Sequence, residues 1–253
     1  MKLNDVVRAF WEKEPCGTGQ TIVGSTTPGT REWYEAVEEY RYRMEPFIHS
    51  IAQFTRYHGK KLLEVGVGAG TDHLQWARAG AICHGVDLTA AAIETTRRRL
   101  ELYGQRSELK HIDAETLPYP DATFDVVYSW GVIHHSERPE AIIAEIHRVL
   151  KPGGRFIGMM YGRHSVVTLK LWFRHALLRA KPWRSFSDVI WHHMESIGTK
   201  AYTRNELARM MSGFRTVELI PTIAHYDRIW LPRWLTQFFP DNWGWYIGFR
   251  ITK

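Results

Sequence analysis

The sequence predicts an α/β fold in which crossover helices join the strands of a parallel sheet. Five short apolar segments, typical of buried strands, alternate with helix-like segments through the middle of the chain, at residues 61–67, 81–86, 109–112, 124–129 and 155–160. Such alternation is typical of βαβ units. The 253 residues, 44% of them hydrophobic and 24% charged, suit one domain with additions rather than two equal domains.

The helices between these strands have recognisable ends. A helix predicted for residues 90–103 ends before Gly104. Pro139 occupies the first turn of the helix at residues 138–150, where its missing N–H costs nothing. A further helix, at residues 72–79, follows the first strand.

The two ends of the chain depart from this alternation. Residues 1–58 are predicted to form a separate, mainly helical lid section, and residues 59–253 the main domain. Residues 163–200, after the fifth strand, read as a helix-rich insertion. Two more strands, at residues 216–225 and 245–251, flank a connection rich in tryptophan and proline.

The composition argues against several classes of protein. The net charge of +6, from 33 basic and 27 acidic residues, is scattered, so nucleic-acid binding is not expected. No run reaches the roughly 18 apolar residues of a membrane span. Contact with a membrane surface stays open, because residues 169–184 combine tryptophan with arginine. Cys16 and Cys83 lie in unrelated contexts and no secretory signal pattern is seen, which predicts a cytoplasmic protein without disulfides.

A strand, a glycine-rich turn and a helix follow one another at the start of the main domain. Glycines in such a turn let the backbone approach a ligand closely, because they have no Cβ. About twenty residues further on, Asp87 ends the second strand, where a carboxylate accepts hydrogen bonds from ribose hydroxyls. The predicted cofactor-binding residues of this segment are Glu64, Gly66, Val67, Gly68, Gly70, Thr71, Asp72, Asp87 and Leu88.

The residues around the glycines indicate which ligand they hold. The pattern is G-x-G-x-G, and Thr71 stands where a pyrophosphate-binding turn has its final glycine. Asp72, at the helix start, would repel a pyrophosphate, and Glu64 is a second acid next to the turn. Two acids favour a ligand with a cationic ammonium and sulfonium, S-adenosylmethionine, over a nicotinamide dinucleotide.

A series of short motifs continues through the predicted domain in a fixed order. They are LEVGVGAG at 63–70, GVDL at 85–88, DA at 113–114, FDVV at 124–127, VIHH at 132–135 and LKPGG at 150–154. With these motifs, residues 60–162 resemble class I S-adenosylmethionine-dependent methyltransferases, above all the small-molecule branch typified by quinone-biosynthesis enzymes. The departures are small: Val67 replaces a frequent cysteine, and Trp130 stands where smaller or polar residues are common.

The resemblance implies both a fold and residue roles. The fold would be a Rossmann-like, doubly wound sheet of seven strands with the last strand antiparallel. Asp113 would meet the adenine amino group, and the backbone N–H of Ala114 the adenine ring. At the end of the fourth strand, Ser129, Trp130 and Gly131 would border the cofactor near the transferred methyl group.

Two histidines follow that strand end. If the acceptor arrives protonated, methyl transfer requires a base. His134 and His135 are the candidate catalytic residues, since the unperturbed pKa of histidine is about 6.5. The alternative is that one of them only holds the loop by hydrogen bonds. No metal site is predicted, because His192 and His193 lack companion ligands at a recognisable spacing.

Most of the eleven tryptophans lie outside the nucleotide-binding motifs. An aromatic or apolar acceptor would stack in such surroundings, although packing of the lid helices explains any single tryptophan as well. The predicted substrate-binding residues are Tyr34, Tyr161, Trp172 and Trp191.

The predicted function is therefore S-adenosylmethionine-dependent methylation of an O, N or C atom of an aromatic or apolar small molecule, such as a natural product. Two alternatives remain: a quinone or lipid methyltransferase at a membrane surface, and a non-catalytic protein that keeps the S-adenosylmethionine-binding fold. The acceptor, the methylated atom and the oligomeric state stay open at this point.

Overall fold

The computed structural model describes residues 2–229, 234 and 243–253, so that most of the predicted connection, at 230–233 and 235–242, lies outside the described residues. The helices are α1 (Leu3–Trp11), α2 (Gln20–Val23), α3 (Arg31–Met44), α4 (Ile48–Ala52), α5 (Thr71–Arg78), α6 (Ala90–Leu102), α7 (Pro139–Val149), α8 (Val166–His175), α9 (Phe186–His193), α10 (Arg204–Met210) and α11 (His225–Arg228). The strands are β1 (Lys61–Val65), β2 (Ile82–Asp87), β3 (Glu108–His111), β4 (Phe124–Trp130), β5 (Leu150–Tyr161), β6 (Thr216–Thr222) and β7 (Tyr246–Thr252). Single 3-10 turns occur at Phe54–Tyr57, Ile133–His135 and Leu177–Arg179.

The predicted doubly wound α/β sheet is confirmed. The described residues form one seven-stranded sheet in the order β3-β2-β1-β4-β5-β7-β6. Strands β1 to β5 pair in parallel, and β7 runs antiparallel to both β5 and β6. The chain order reverses between β1 and β4, and a sheet of this type has a crevice for ligands at the carboxyl ends of the strands beside such a reversal.

Several strand boundaries differ from the prediction, among them the end of β6 at Thr222 rather than at residue 225, and two of the differences have clear local reasons. Strand β1 ends at Val65 rather than at residue 67, because Gly66 adopts a left-handed φ of +81° that no extended strand contains. Strand β5 begins at Leu150, five residues early, because Leu150 already pairs with Phe124 across an irregularity in the register.

The sheet is covered on both faces, as a parallel sheet requires. Neighbouring residues on β1 point to opposite faces: Leu63 packs in a cluster with the isoleucines of α7, and Leu62 in a second cluster with Trp76 of α5 and Ile48 of α4. Both leucines are fully buried. No helix in the described ranges is long and apolar enough to cross a bilayer.

The N-terminal helices are fastened to the carboxyl edge of the sheet. Glu12, just after α1, accepts hydrogen bonds from the backbone N–H groups of Ala90 and Ala91 at 3.0 and 2.9 Å, and so caps the start of α6. Asn4 of α1 bonds Asp113 and Glu115 at 2.8 Å each. Helix α1 therefore crosses the ends of the parallel strands.

Candidate active site

A cavity of about 350 Å³ lies against the glycine loop. It is lined by the loops after the parallel strands, by the N-terminal section, by the segment that follows α9, and by single residues of α8, α11 and the start of β7. The predicted cofactor-binding residues on its wall are Glu64, Gly66, Val67, Gly68, Thr71, Asp72, Asp87, Leu88, Asp113, Ala114, Trp130 and Gly131. Chain segments far apart in sequence thus meet at the edge where the prediction placed a ligand.

The loop glycines differ in what a side chain would meet. A Cβ on Gly66 would lie 2.3 Å from a methyl of Val132, so that glycine is required by packing between two loops. A Cβ on Gly68, at φ +52°, would meet nothing within 4 Å. Since Gly68 also lines the cavity, its bare backbone is open to a ligand.

Asp87 is held rigidly at the end of β2. One carboxylate oxygen accepts from the backbone N–H of Gly68 at 3.1 Å. The other accepts from the backbone N–H and the hydroxyl of Thr89, at 2.9 and 2.8 Å. Burial raises the pKa of this carboxyl, and these hydrogen bonds oppose the rise. The group is thereby oriented beside the loop, where ribose hydroxyls can reach its remaining lone pairs.

Asp113 also has partners before any ligand arrives. Its Oδ1 accepts from the backbone N–H of Glu115 at 3.0 Å, and its Oδ2 accepts from the Asn4 amide at 2.8 Å. Each oxygen retains a further lone pair, so an adenine amino group can still donate to it. Leu88, Ile112 and Ala114 add apolar surface to the cavity wall, suited to a planar base.

The charge on Glu64 does not act as the sequence suggested. Burial raises the pKa of Glu64 well above its ordinary range, and burial lowers the pKa of His73 to about 4. Their side chains lie 2.9 Å apart, and His73 Nε2 lies 2.8 Å from the Ser107 hydroxyl, which donates to the Cys83 carbonyl. We conclude that the shared proton sits on Glu64 and that the pair is neutral.

The charge on Asp72 is likewise compensated. Arg41 Nε donates to Oδ1 at 2.9 Å, and the hydroxyls of Tyr42 and Tyr128 donate at 3.0 and 2.7 Å. Burial alone would raise the pKa of Asp72, but the Arg41 guanidinium and these hydrogen bonds outweigh it and hold that pKa below its usual value. The prediction that two acids present a net negative field to the cofactor therefore needs correction; the fit of the cavity rests on its shape, Asp87 and Asp113.

Away from the glycine loop, the cavity wall is aromatic and contains two further acids. Glu45 accepts hydrogen bonds from Trp130 Nε1 at 2.8 Å and from the Tyr246 hydroxyl at 3.2 Å. Glu195 accepts from the Tyr161 hydroxyl at 3.0 Å. The aromatic residues of this part are Trp11, Tyr40, Trp130, Tyr161, Tyr226, Trp245 and Tyr246. An acceptor here would meet rings and carboxylates.

The two candidate histidines have different positions. His135 lines the cavity, and its Nε2 lies 3.4 Å from Glu195 Oε2. His134 is fully buried away from the cavity, and its ring packs on Tyr161 at 3.9 Å between centroids. Burial holds the pKa of His134 well below its ordinary value, so this ring is neutral. Neither ring nitrogen of His134 has a hydrogen-bond partner among the described residues, so this side chain does not hold the loop by hydrogen bonds; its ring is a packing element.

Five other predicted site residues do not reach the cavity wall. Gly70 is the N-cap residue just before α5 and packs on Thr96. The Ser129 hydroxyl donates to the Val65 carbonyl, joining β4 to β1. The remaining three, from the predicted substrate set, have partners elsewhere. The Tyr34 hydroxyl donates to the Thr95 carbonyl, and Trp172 Nε1 donates to the Arg184 carbonyl. The Trp191 ring lies under the ammonium group of Lys200. Of that set, the structure brings only Tyr161 to the cavity.

Sequence reasoning missed Glu45, Glu195 and the role of Cys16 in the wall. Cys16 lines the cavity and its side chain is accessible to solvent there. No motif spacing marks the two glutamates, because they meet the site only through folding. In the described ranges no group of three or more His, Cys, Asp or Glu residues is arranged to hold a metal ion.

A comparison with protein families shows what the central segment resembles. A family model described as a methyltransferase domain matches residues 63–158, from β1 through most of β5. Residues 63–158 are thus similar to a methyltransferase domain.

Several relatives of this segment have names that refer to small-molecule substrates. The chain is 36% identical over 125 residues to a fatty-acid O-methyltransferase from Mycolicibacterium smegmatis, covering 49% of this chain and 44% of that one. It is 35% identical over 99 residues to a demethylmenaquinone methyltransferase from Clavibacter sepedonicus, covering 39% and 40%. The matched part spans less than half the length of each of these relatives.

The fold of the chain also recurs among solved structures. Magnesium protoporphyrin IX methyltransferase from Synechocystis PCC 6803, solved with bound SAH, superposes with a TM-score of 0.63 over 99% of both chains. The identity is 14%, so the similarity concerns the fold alone.

Proposed function

We propose that this chain binds S-adenosylmethionine and transfers its methyl group to an O, N or C atom of an aromatic or apolar small molecule, such as a natural product. One observation carries the proposal: a single cavity is lined both by the glycine loop with Asp87 and by an aromatic wall. The two ligands of a methyl transfer would therefore meet in one space. The names of the relatives, a fatty-acid and a demethylmenaquinone methyltransferase, support a small-molecule acceptor.

Each half of the cavity has a task in this proposal. When bound, S-adenosylmethionine supplies a methyl group on a sulfonium that is already a good leaving group. The open backbone at Gly68 admits the cofactor, Asp87 accepts from the ribose, and Asp113 accepts from the adenine amino group. The aromatic wall holds the acceptor in line with the methyl, and such alignment is worth about 7–11 kcal/mol of the barrier. The N-terminal section 1–58 and the insertion 163–200 act as the lid.

The first test concerns the cofactor. In Asp87→Asn, the carboxylate that would bind the ribose becomes a neutral amide, and the dissociation constant for S-adenosylmethionine is expected to rise roughly 10- to 100-fold, the value of a hydrogen bond to a charged group. Isothermal titration calorimetry measures it, with Asp121→Asn, an exposed acid paired with Arg148, as the matched control. A wild-type protein that binds no S-adenosylmethionine contradicts the proposal and favours the non-catalytic alternative.

A surface feature of the insertion favours a membrane-associated acceptor as the second candidate function. Exposed apolar side chains follow one another along α8 and the turn after it: Leu169, Phe173, Leu177, Leu178 and Trp183. Residues 164–187 contain five lysines and arginines and no acid. Basic residues beside exposed aromatic and aliphatic ones suit an anionic lipid surface. Val167, on the same helix, lines the cavity, so a lipid or quinone leaving that surface would enter nearby.

Sedimentation with liposomes tests this second candidate. We expect the wild-type protein to pellet with phosphatidylglycerol-containing vesicles at low salt, and the Leu178→Glu/Trp183→Glu variant to pellet at least several-fold less. Phe10→Glu/Ile82→Glu, which places the same charges at exposed apolar sites elsewhere, is the matched control. Wild-type protein that stays in the supernatant supports a water-borne acceptor instead.

The cytoplasmic location belongs to the proposal as well, and the free thiols Cys16 and Cys83 agree with it.

A further inference from the structure

The segment Glu195–Lys200, here called the Glu195 turn, brings an unassigned carboxylate to the acceptor part of the cavity. Glu195 has a φ of +44°, in the left-handed region that a non-glycine residue rarely adopts. Backbone strain of this kind persists only where the surrounding contacts enforce it. The Glu195 side chain keeps 30% of its surface accessible and lines the cavity.

The Glu195 turn is locked to the loop after β4. Ser196 and Thr199 are buried, and the Thr199 hydroxyl donates to the Ser196 carbonyl at 2.6 Å. Lys200 donates from its backbone N–H to the His134 carbonyl and from Nζ to the Ser136 carbonyl. The carboxylate of Glu195 is therefore presented on a rigid support.

The hydrogen bonds around His135 determine whether His135 or Glu195 can take a proton. His135 Nδ1 lies 3.1 Å from the hydroxyl oxygens of both Thr199 and Ser196. Because His135 Nε2 faces the Glu195 carboxylate, which only accepts, we assign the ring hydrogen to Nε2 and the accepting role to Nδ1. The Thr199 hydroxyl already donates to the Ser196 carbonyl, so the Ser196 hydroxyl is the one that donates to Nδ1. A ring that accepts at Nδ1 carries its hydrogen on Nε2. His135 Nε2–H then points at Glu195 Oε2, 3.4 Å away, and this nitrogen has no lone pair for an incoming proton.

The Glu195 carboxylate, by contrast, is surrounded by donors. The Tyr161 hydroxyl lies 3.0 Å from both of its oxygens, and His135 approaches Oε2. A carboxylate has about four lone-pair sites, so sites remain for a ligand in the cavity. Both neighbours orient the carboxylate without neutralising it.

We propose that Glu195 binds the attacking atom of the methyl acceptor and takes its proton, which makes the acceptor a molecule with an O–H or neutral N–H at the methylated position. This rests on the proposed function. The catalytic residue is Glu195; His135 and Tyr161 are positioning residues. An acceptor that is itself a carboxylate is excluded from this role, because it carries no such hydrogen and meets a like charge.

The step balances within the cavity. The proton of the acceptor O–H or N–H moves to a carboxylate oxygen of Glu195. The lone pair of the acceptor atom forms the bond to the methyl carbon, and the electron pair of the broken carbon–sulfur bond stays on sulfur, which becomes a neutral thioether. Glu195 returns its proton to solvent when the product leaves.

The test uses probes that do not require turnover. 2-Naphthol carries the O–H that Glu195 would bind, and 2-methoxynaphthalene is its partner without that hydrogen. In the S-adenosylhomocysteine-loaded wild-type protein we expect 2-naphthol to bind about 10-fold more tightly or better, as for a hydrogen bond to a charged group. Because excited 2-naphthol is a strong acid, its bound emission is expected to be that of naphtholate.

Variants then assign these effects to one residue. Glu195→Gln is expected to lose most of the preference and to restore emission from neutral naphthol. Asp121→Asn, which neutralises an exposed acid paired with Arg148 away from the cavity, is expected to keep both. Tyr161→Phe is expected to keep the naphtholate emission, because the carboxylate remains.

The outcomes separate this inference from the proposed function. Binding of S-adenosylhomocysteine is measured first on every variant, and its loss in the wild-type protein would count against the proposed function itself. With that binding intact, equal affinity for the two probes, no affinity for 2-naphthol, or naphtholate emission that survives Glu195→Gln overturns the role of Glu195.

Discussion

Replacing Arg41 with methionine is expected to lower the free energy of unfolding by about 3–5 kcal/mol, the cost of leaving a buried charge without its partner. Asp72 is 3% exposed, and Arg41 supplies its only ion pair among the described residues. The two tyrosine hydroxyls that remain donate hydrogen bonds but carry no charge. Urea unfolding followed by circular dichroism measures the change.

The same helix provides the control. Arg43 pairs with Glu39 at 3.7 Å on the surface, both side chains more than half exposed, so Arg43→Met is expected to cost less than about 1 kcal/mol. The pH dependence gives a second check. Since the pKa of Asp72 is held below its ordinary 3.8, the contribution of the pair is complete above that pH and is lost as the pH falls through the lower, folded value. Equal costs for the two variants would mean that Tyr42 and Tyr128 alone carry the carboxylate.

Gly66→Ala is expected to destabilise the protein by about 2–6 kcal/mol, from backbone strain of about 1–3 kcal/mol and overpacking of about 1–3 kcal/mol. The φ of +81° disfavours any Cβ, and the added atom would lie 2.3 and 2.7 Å from the methyls of Val132. Because the loop lines the cavity, binding of S-adenosylhomocysteine is expected to fall as well. Chemical denaturation and calorimetry measure the two effects.

Two companion variants separate strain from collision. Gly104→Ala has a similar left-handed φ of +63° with nothing within 4 Å of the new Cβ, so it reports the strain alone. Val132→Ala in the Gly66→Ala background removes both methyls and is expected to recover part of the loss. If Gly104→Ala costs as much as Gly66→Ala, the collision with Val132 contributes nothing and the loop has moved to accommodate it.

The order of elements was predictable because local signals agreed with the fold. Apolar segments, Gly104 and Pro139 marked the elements, and the resemblance supplied the antiparallel position of β7, which the pairing of β7 with β5 and β6 confirms. Boundaries shifted where one backbone angle or one bridging pair decided them, as at Gly66 and Leu150.

The electrostatics of the cavity could not be predicted in the same way. Glu64 and Asp72 are adjacent to the glycine motif, but their charge depends on His73 and Arg41, and Arg41 lies on a helix 31 positions earlier in the chain. A charge argument from sequence assumes that an acid is ionised and unpaired. Burial and pairing, which only folding creates, reversed both assumptions.

The acceptor side was the least predictable part. Tryptophan enrichment pointed to Trp172 and Trp191, yet these rings pack within the insertion and on Lys200. Glu195, in contrast, has no distinguishing spacing, and it meets His135 across 60 positions of sequence. Composition signals that a pocket is aromatic, but which side chains face it depends on the tertiary packing.

Helix α1 lines the cavity and also contacts both of its ends. Asn4 of this helix donates a hydrogen bond to Asp113, the acid expected to bind the adenine. Leu3 of the same helix packs against Gly198 of the Glu195 turn. One short helix thus touches both the cofactor end and the support of the acceptor carboxylate. Departure of the spent cofactor would require these contacts to break, so the pace of the catalytic cycle would depend on how often α1 lifts as well as on the methyl transfer itself.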